Sequence, residues 1–444
     1  MEQRYARQEV LGGWDQERLA RATVAIAGSG PMAFLCGLMA TAMGFGRLVL
    51  LGRGTGGGFR LPQAAGDSGA AAPFTGWVEL YGRLNPRVRV YPCPVPLRGD
   101  LGQRLPALDG LIVAGNDLRA RLAGRRIAQQ CGVPVVAGGC AGHLGVWGAP
   151  VADPAAVHLH GRAEAPLLGQ IVAALLVEDM RKTLLPLPGE EGPTDRANRV
   201  CLPPPQTPGH ARPVSSSLHW RGLALVGAGA LGTWFGLGLG LARVPAALSI
   251  FDADQVEETN LNRQILFYES VGQSKAIVLA RRLQELFPWL KVAGYGMRVG
   301  EETSKHLQSA AVVAACPDNH AARVFLNGLA KRHHRVLLSG GTSASGGSCL
   351  LYEPGTTACL SCRLRIDQLA EREEAPQSCA RQAQPSIVTS NAMIGALMAW
   401  LLHDRLSTGR AEAGMWEYDG RPQHTRLSLH PEWPACRCHH PARR

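Results

Sequence analysis

Side chains that could bind a nucleotide triphosphate lie close together in the second half of the sequence. Residues 252–275, DADQVEETNLNRQILFYESVGQSK, supply two carboxylates, an amide, an arginine, a glutamine and a lysine: Asp252, Asp254, Asn260, Arg263, Gln264 and Lys275. A glycine-rich turn, GAGALG, precedes them at residues 227–232. A dinucleotide-binding fold needs only one acid at the end of its second strand. The additional phosphate-directed groups therefore favour ATP and a metal ion over hydride transfer.

A strand, a tight turn and a helix must position these groups. LALVGAGALG at residues 223–232 is typical of a buried parallel strand that runs through a glycine turn into a helix, and LSIFDAD at 248–254 is typical of the next strand. The first half has the same order, with ATVAIAGSGPMA at 22–33 and LVLLGRG at 48–54. We therefore predict an α/β fold of two tandem, Rossmann-like, doubly wound domains. The expected ranges are 1–183 and 218–444, with a proline-rich linker at 184–217.

The two halves differ in the residues that could bind a nucleotide. The first half has glycine or asparagine where the second has carboxylates: Gly52 for Asp252, Gly54 for Asp254 and Asn116 for Asp318. Its third fingerprint glycine is replaced by Ala33. We therefore expect one active site, in the second half, where Gly227, Gly229 and Gly232 let the backbone approach the nucleotide.

The N-terminal arm, MEQRYARQEV, carries arginines that could serve an active site in the other half. Arg7, ahead of Arg4, is the candidate for reaching across to a phosphate. The alternative interpretation is a solvated surface arginine. The arm contains no apolar signal segment, which predicts a cytoplasmic protein.

Charge and hydropathy give no indication of nucleic acid or membrane. The net charge is +11, but the arginines are scattered and no run of five basic residues occurs, which favours a diffuse surface charge. The uncharged stretch at residues 222–242 is rich in glycine, and we interpret it as a buried strand, turn and helix instead of a membrane span.

Two pairs of closely spaced cysteines could bind a metal ion. Cys359 and Cys362 form a CxxC pair, and Cys436 and Cys438 lie in CRC near the C-terminus. Four thiolates from two pairs suit tetrahedral Zn²⁺ in a structural site. The alternative is four reduced thiols without metal.

The ordered set of motifs resembles the activating enzymes of ubiquitin-like proteins, within the ThiF/MoeB-like adenylyltransferase superfamily. The motifs are RYARQ at 4–8, GAGALG at 227–232, DADQVEETNLNRQ at 252–264, Lys275, and PDN at 317–319. The resemblance implies two adenylation folds packed as a pseudo-dimer, of which the first is inactive and donates Arg7 to the second. The chain resembles a compact, fused, bacterial version of these enzymes.

The resemblance also implies a role for each site residue. Asp252 would bind the ribose, Asp254 and Asp318 would bind Mg²⁺, and Asn260, Arg263, Gln264 and Lys275 would hold the triphosphate. From the residues alone, Asp254 could instead cap a segment, Asn260 could be a turn residue, and Asp318 could form an Asx turn or helix cap. The second cysteine pair is normally CxxC in this family, so His439 is the alternative to Cys438 as fourth zinc ligand.

Cys379, in QSCARQ, occupies the region where the resembling enzymes carry the cysteine that accepts the acyl group as a thioester. The implied function is adenylation of the C-terminal glycine of a ubiquitin-like β-grasp protein, thioester formation on Cys379 and transfer to a conjugating enzyme. One alternative is a sulfur-carrier adenylyltransferase that stops at the acyl adenylate. A nicotinamide-dependent oxidoreductase and an inactive scaffold are further alternatives.

Overall fold

A computed structural model describes most of the chain. The described residues are 3–52, 74–148, 159–192, 198–202, 222–244, 246–374, 384–409, 414–422, 424–429 and 436. No helix within these ranges combines the length and hydropathy that a membrane span needs.

The first half of the described chain forms one mixed sheet. Its strands are β1 (Thr23–Ala27), β2 (Arg47–Leu51), β3 (Arg89–Cys93), β4 (Gly110–Ala114), β5 (Val135–Ala141), β6 (Leu144–Gly148) and β7 (Asn198–Cys201). Strands β3-β2-β1-β4-β5 are parallel in that spatial order, and β6 and β7 continue the sheet antiparallel.

The second half forms a second mixed sheet. Its strands are β8 (Leu223–Val226), β9 (Ala247–Phe251), β10 (Lys291–Tyr295), β11 (Val312–Ala315), β12 (Val336–Thr342), β13 (Gly346–Tyr352), β14 (Gly414–Asp419) and β15 (His424–Leu429). Strands β10-β9-β8-β11-β12 are parallel in that order, and β13, β14 and β15 follow antiparallel.

Helices connect the strands. They are α1 (Ala6–Glu9), α2 (Gln16–Arg21), α3 (Pro31–Met43), α4 (Thr75–Leu84), α5 (Leu118–Cys131), α6 (Pro166–Leu184), α7 (Ala230–Leu241), α8 (Lys275–Leu286), α9 (Glu301–Ser309), α10 (His320–Arg332), α11 (Leu360–Leu364), α12 (Ile366–Glu374) and α13 (Val388–Thr408). Short 3-10 helices lie at Leu101–Arg104 and Glu258–Asn260.

The two sheets repeat one strand order, which confirms the predicted α/β fold. The central strands β1 and β8 each lead through a glycine turn into a helix, α3 or α7. Ala27 pairs with Leu51 in the first sheet, and Val226 pairs with Phe251 in the second. Gly52 and Asp252, which follow these partners, therefore occupy equivalent positions, as the sequence predicts.

Helices α6 and α13 join the two halves. Both are buried along most of their length, and a helix that is apolar on all sides needs neighbours on all sides. Gln170 Nε2 on α6 donates to the carbonyl of Ala392 on α13 at 2.9 Å. Thr389 Oγ1 on α13 donates to the Glu178 carboxylate on α6 at 2.7 Å. Each half therefore covers apolar surface of the other.

One part of the segment predicted as a linker belongs to a sheet. Strand β7 falls within residues 184–217, and its Cys201 pairs with Leu144 of β6. Prolines flank this short edge strand, and they favoured the prediction of a linker although the strand alternates between more and less buried residues. The domain ranges themselves stay a prediction.

Candidate active site

The glycine turn between β8 and α7 has a conformation that requires glycine at two positions. Gly227 has φ +95°, and a Cβ on it would lie 2.4 Å from the carbonyl oxygen of Cys316. A Cβ on Gly232 would lie 2.1 Å from the carbonyl oxygen of Gly227. Gly229, which precedes α7, has open surroundings. A ligand can therefore approach the N-terminus of α7 beside Gly229.

Asp252 connects the end of β9 to this turn. Its Oδ2 accepts the N–H of Ala228 at 2.7 Å, and its Oδ1 accepts the N–H of Asp254 at 2.8 Å. Burial raises the pKa of Asp252, while these two N–H groups and the charge of Lys275 oppose the rise. The carboxylate is thus held at the edge of the turn, where a ribose would need it.

Asp254 and Lys275 form an ion pair at the mouth of the site. Lys275 Nζ lies 2.9 Å from Asp254 Oδ2; the lysine side chain is 11% exposed and the aspartate 58%. The N–H of Lys275, the first residue of α8, also donates to the carbonyl of Asp254 at 3.0 Å. The structure therefore brings these two predicted residues together, with the carboxylate on the solvent side.

Asn260 and Gln264 are buried on the loop between β9 and α8. Asn260 Oδ1 accepts the N–H of Glu257 at 3.0 Å and closes a turn of 3-10 helix. This is the local role expected if Asn260 is a turn residue. The Oε1 atom of Gln264 has no hydrogen-bond partner among the described residues. A buried, unpaired amide oxygen near the glycine turn is suited to a ligand's donor group.

Arg263 is a buried cation with no carboxylate partner in the described chain. Its Nη1 donates to the carbonyl of Thr259 at 2.6 Å and to Asn262 Oδ1 at 2.7 Å. Burial, followed by the positive charge of Arg7, lowers the pKa of the Arg263 guanidinium to about 10, while the carboxylate of Glu257 opposes this shift. Two arginines from different halves thus interact electrostatically, and Arg263 forms no ion pair with a carboxylate of the described residues, which suits a polyanion.

Arg7 reaches the second half from the N-terminal arm. Its Nη1 donates to the carbonyl of Gln384 at 3.4 Å, and its own carbonyl accepts the N–H of Ser386 at 2.9 Å. Arg4 is instead buried in the first half, where its Nη1 donates to the carbonyl of Leu84 at 2.9 Å. The geometry therefore favours Arg7 over Arg4 as a phosphate ligand.

Asp318 follows β11, on the other side of β8 from Asp254, and is exposed. The helix cap that the sequence allowed for this region belongs to its neighbour: Asn319 Oδ1 accepts the N–H of Ala322 at 2.8 Å, at the start of α10. Asn319 Nδ2 donates to Asp318 Oδ1 at 3.3 Å. Asp318 retains carboxylate lone pairs that a metal ion could use.

In the first half, a side-chain carboxylate occupies the helix N-terminus that is equivalent to the open N-terminus of α7. Glu164 Oε2 accepts the N–H of Met32 at 2.9 Å, at the start of α3. A Cβ on Gly30 would lie 2.5 Å from Glu164 Oε1, whereas the nearest atom to a Cβ on Gly229 is 4.0 Å away. The helix N-terminus that is open in the second half is thus occupied in the first.

Three cysteines form a cluster that could hold a metal ion. The sulfur atoms of Cys359, Cys362 and Cys436 all lie within 4.8 Å of one another, and those of Cys362 and Cys436 are 3.6 Å apart. Four sulfurs at ~2.3 Å from a tetrahedral zinc ion lie ~3.8 Å apart. The three thiols therefore fit such an ion, while Cys438 and His439 lie outside the described residues.

The predicted acyl-accepting cysteine also lies outside the described residues, which omit 375–383. Four deeply buried thiols are poor nucleophiles. Burial raises the pKa of Cys140 and of Cys316 to about 12, and it raises the pKa of Cys36 and of Cys349 well above the ordinary value. A raised pKa keeps these four thiols protonated and therefore inert.

Sequence reasoning missed three residues around the site. Gln8 and Asn262 are fully buried and hydrogen-bonded to each other at 3.0 Å, and Glu164 fills the first-half turn. Gln8 and Asn262 belong to the quoted motifs RYARQ and NLNRQ, which was the available signal. Glu164 lies in a segment with no motif.

Two parallel-dominated sheets with a glycine turn at the end of a central strand define a Rossmann-like α/β protein. Sequence comparison is more specific. A model of the ThiF family matches residues 215–439, just over half of the chain. The chain belongs to the ThiF family.

Curated relatives include two kinds of protein. The NEDD8-activating enzyme E1 catalytic subunit of Arabidopsis thaliana is 30% identical over 32% of this chain and 35% of its own length. Sulfur carrier protein ThiS adenylyltransferases of Bacillus subtilis and Escherichia coli are 33% and 32% identical, over 32% and 33% of this chain and 43% and 60% of their lengths. The chain therefore covers less than two thirds of each relative. A crystal structure of E. coli MccB with succinimide aligns with a TM-score of 0.40 and 20% identity, over 48% of this chain and 66% of that one.

The burial of Glu164 makes stability depend on pH in a definite direction. Burial raises its pKa above the ordinary value of 4.5. The folded state therefore holds the proton more tightly than the unfolded state, and stability falls as pH rises from about 4.5 through the raised pKa. Glu164→Gln removes this loss. Its free energy of unfolding, measured with urea at pH 4.5 and 7, should therefore rise relative to that of the unsubstituted chain as pH increases.

The matched control is Glu17→Gln, on a side chain of α2 that is 81% exposed. This control should change the pH dependence little. A Glu164→Gln chain that loses relative stability between pH 4.5 and 7 would contradict the account, because the ionised carboxylate would then be favourable at the start of α3.

Proposed function

We propose that the chain uses ATP to adenylate the C-terminal carboxylate of a small β-grasp protein of the ubiquitin-like or sulfur-carrier type. One observation carries the proposal: Arg7 acts electrostatically on buried Arg263 in the neighbourhood of the glycine turn. Arg263 forms no ion pair with a carboxylate among the described residues. Membership of the ThiF family supports ATP over a nicotinamide cofactor.

Each charged group has a place in the proposed nucleotide site. Asp252 binds the ribose hydroxyls, and Arg263, Lys275 and Gln264 hold the triphosphate with Asn260. Asp254 and Asp318, two exposed carboxylates at the ends of β9 and β11, are hard oxygen ligands that fit Mg²⁺. When bound, Mg²⁺ supplies further neutralisation of phosphate charge.

The first step requires no general base, because the attacking tail carboxylate is already ionised. One of its oxygens attacks the α-phosphorus, the bond to the bridging oxygen breaks, and pyrophosphate leaves with that electron pair. Arg263, Lys275 and Arg7 neutralise the charge that develops on the leaving group. Positioning and preorganised charge therefore supply most of the rate.

The proposed arrangement is a pseudo-dimer of an inactive domain, residues 1–183, and an active one, 218–444. The common strand order, the contact between α6 and α13 and the Glu164 side chain at the start of α3 all support it. The inactive domain then contributes Arg7 to the nucleotide site of the active domain.

We further propose a thioester step at Cys379, as in enzymes that pass a ubiquitin-like protein to a conjugating enzyme. The thiolate attacks the acyl carbon of the adenylate, the carbon–oxygen bond to AMP breaks, and AMP leaves. The second candidate, a sulfur-carrier adenylyltransferase that stops at the adenylate, is favoured by the identity to the ThiS adenylyltransferases.

A structural zinc ion is proposed at Cys359, Cys362 and Cys436, with Cys438 or His439 as fourth ligand. The spacing of the three described sulfurs supports it. Thiolate ligands of this kind persist in a reducing cytoplasm.

The adenylation step is tested by ATP–pyrophosphate exchange with a β-grasp protein that ends in glycine. Arg263→Ala should lower the exchange rate by about 10²- to 10³-fold, because a buried charge on the leaving phosphates is lost. Arg21→Ala, on a side chain that is 79% exposed, is the matched control and should retain the rate. A substrate with an amidated C-terminus should give no exchange. Equal rates for Arg263→Ala and the unsubstituted chain would refute the proposed site.

The thioester step is tested with Cys379→Ala. This variant should retain pyrophosphate exchange, since Cys379 acts after adenylation, and should lose the adduct with the β-grasp protein that reducing agent cleaves on a gel. Absence of any such adduct in the unsubstituted chain, together with full exchange, would favour the sulfur-carrier alternative.

The zinc site is tested by metal analysis and thermal unfolding. Cys436→Ser should release the bound zinc and lower the Tm by several degrees, because a structural zinc ion contributes directly to folding free energy. Cys201→Ser, at an exposed thiol on β7, is the control and should retain both zinc and Tm. Unchanged zinc content in Cys436→Ser would contradict the proposal.

A further inference from the structure

A continuous chain of hydrogen bonds runs from Arg263 into the first half. Arg263 Nη1 donates to Asn262 Oδ1 at 2.7 Å, Asn262 Nδ2 donates to Gln8 Oε1 at 3.0 Å, and Gln8 Nε2 donates to the carbonyl of Met43 at 3.0 Å. Gln8 and Asn262 are both 0% exposed. We propose that Gln8 and Asn262 are positioning residues, which hold the guanidinium of Arg263 where it binds the polyphosphate of a nucleotide.

The orientation of each amide in this chain is fixed by its neighbours. Trp14 Nε1 can only donate, and it donates to Gln16 Oε1 at 3.0 Å. The carbonyl of Met43 can only accept. Gln8 must therefore present Nε2 to Gln16 and Met43, and Oε1 to Asn262. Asn262 in turn has only Oδ1 left for Arg263.

In this series of hydrogen bonds each side chain donates to the next, and the last acceptor, the carbonyl of Met43, is a favourable one. Met43 is the last residue of α3, where the unpaired carbonyls carry the negative end of the helix dipole. Hydrogen bonds aligned in series polarise one another. The oxygens that accept from Arg263 are thus neutral, and among the described residues no carboxylate forms an ion pair with it, although the charge of Glu257 acts on it from further away.

The geometry leaves the useful side of the guanidinium available. Within the described chain, Nη1 makes both hydrogen bonds of the Arg263 side chain, to Asn262 and to the carbonyl of Thr259. Nε and Nη2 are left for an anion, and these two atoms can bind phosphate oxygens as a planar pair. Fixing Nη1 fixes the plane in which they lie.

The inference rests on the proposed function and extends the role of the first half within it. That half contributes Arg7, which would touch phosphate, and also Gln8, one residue further along the same arm. Gln8 acts only through Asn262, since its amide reaches no closer to the site. The nucleotide site is therefore incomplete without the first half for two separate reasons.

The test uses Gln8→Met in the full chain, which conserves volume and removes the amide. Misplacing Arg263 should raise the Kd for ATP by about tenfold while the Kd for adenosine stays constant, because a misplaced catalytic group of this kind costs up to about 10²-fold. Calorimetric titration with ATP, adenosine and tripolyphosphate measures this. Asn85→Ala is the matched control, because it removes another fully buried amide of the first half, one that is hydrogen-bonded to Tyr5 and Thr41. It should not change the ratio of the Kd for ATP to the Kd for adenosine.

A double-mutant cycle separates positioning from general destabilisation. In an Arg263→Ala background, Gln8→Met should have no further effect on the Kd for ATP, since residues that act through one group are not additive. If Gln8→Met does not fold, Asn262→Asp replaces it in the test. Its carboxylate would pair with Arg263 and should weaken the binding of ATP but not that of adenosine.

Equal losses for ATP and adenosine, an effect of Asn85→Ala equal to that of Gln8→Met, or independent effects in the double mutant would each overturn the inference. ATP binding without pyrophosphate exchange would contradict the proposed function but leave this test valid. A chain that binds neither ATP nor tripolyphosphate would overturn both.

Discussion

The packing of α6 against α13 fixes how the two halves meet. Each helix is buried on nearly all sides, so the apolar contact is large, but it is the polar groups that set its register. Gln170 donates to the carbonyl of Ala392, and Glu178 accepts from Thr389 across the same contact. A shift by one turn would remove both hydrogen bonds and leave the buried amide of Gln170 and hydroxyl of Thr389 without these acceptors, which costs about 1–3 kcal/mol for each. The N-terminal arm adds its own hydrogen bonds to this contact, from Ser386 to the carbonyl of Arg7 and from Asn262 to Gln8.

The two halves use the same strand order, but they differ in whether a side chain occupies the helix N-terminus after the glycine turn. In the first half, a carboxylate of the chain itself occupies the N-terminus of α3. In the second half the N-terminus of α7 is open beside Gly229, and the loop between β9 and α8 contributes the buried guanidinium of Arg263 and the unpaired amide oxygen of Gln264. The first turn is therefore closed to a polyanion because the Glu164 side chain fills it, whereas the second turn leaves space beside Gly229.

Local pattern predicted much of this structure, and long-range contact supplied the rest. The period of the apolar residues and the glycine turns predicted the α/β fold, whereas the roles of Asp254 and Asp318, which follow β9 and β11, stay predictions from the family resemblance. The edge strand β7 was missed among prolines. The bond between Gln8 and Asn262 joins residues 254 positions apart, and no local signal specifies such a contact. The antiparallel strands β14 and β15 likewise lie beyond what the repeat alone predicts.

The buried state of Arg263 links ligand binding to assembly of the halves. A guanidinium that is largely removed from water and faces Arg7 is unfavourable unless its charge is neutralised. Neutral oxygens of Asn262 and Thr259 satisfy only Nη1. A polyphosphate that contacts both arginines removes the repulsion between them, and it does so only when the arm of the first half is packed on the second. By linkage, a ligand that binds only this assembled arrangement stabilises the contact between the halves by the same free energy with which the contact improves binding.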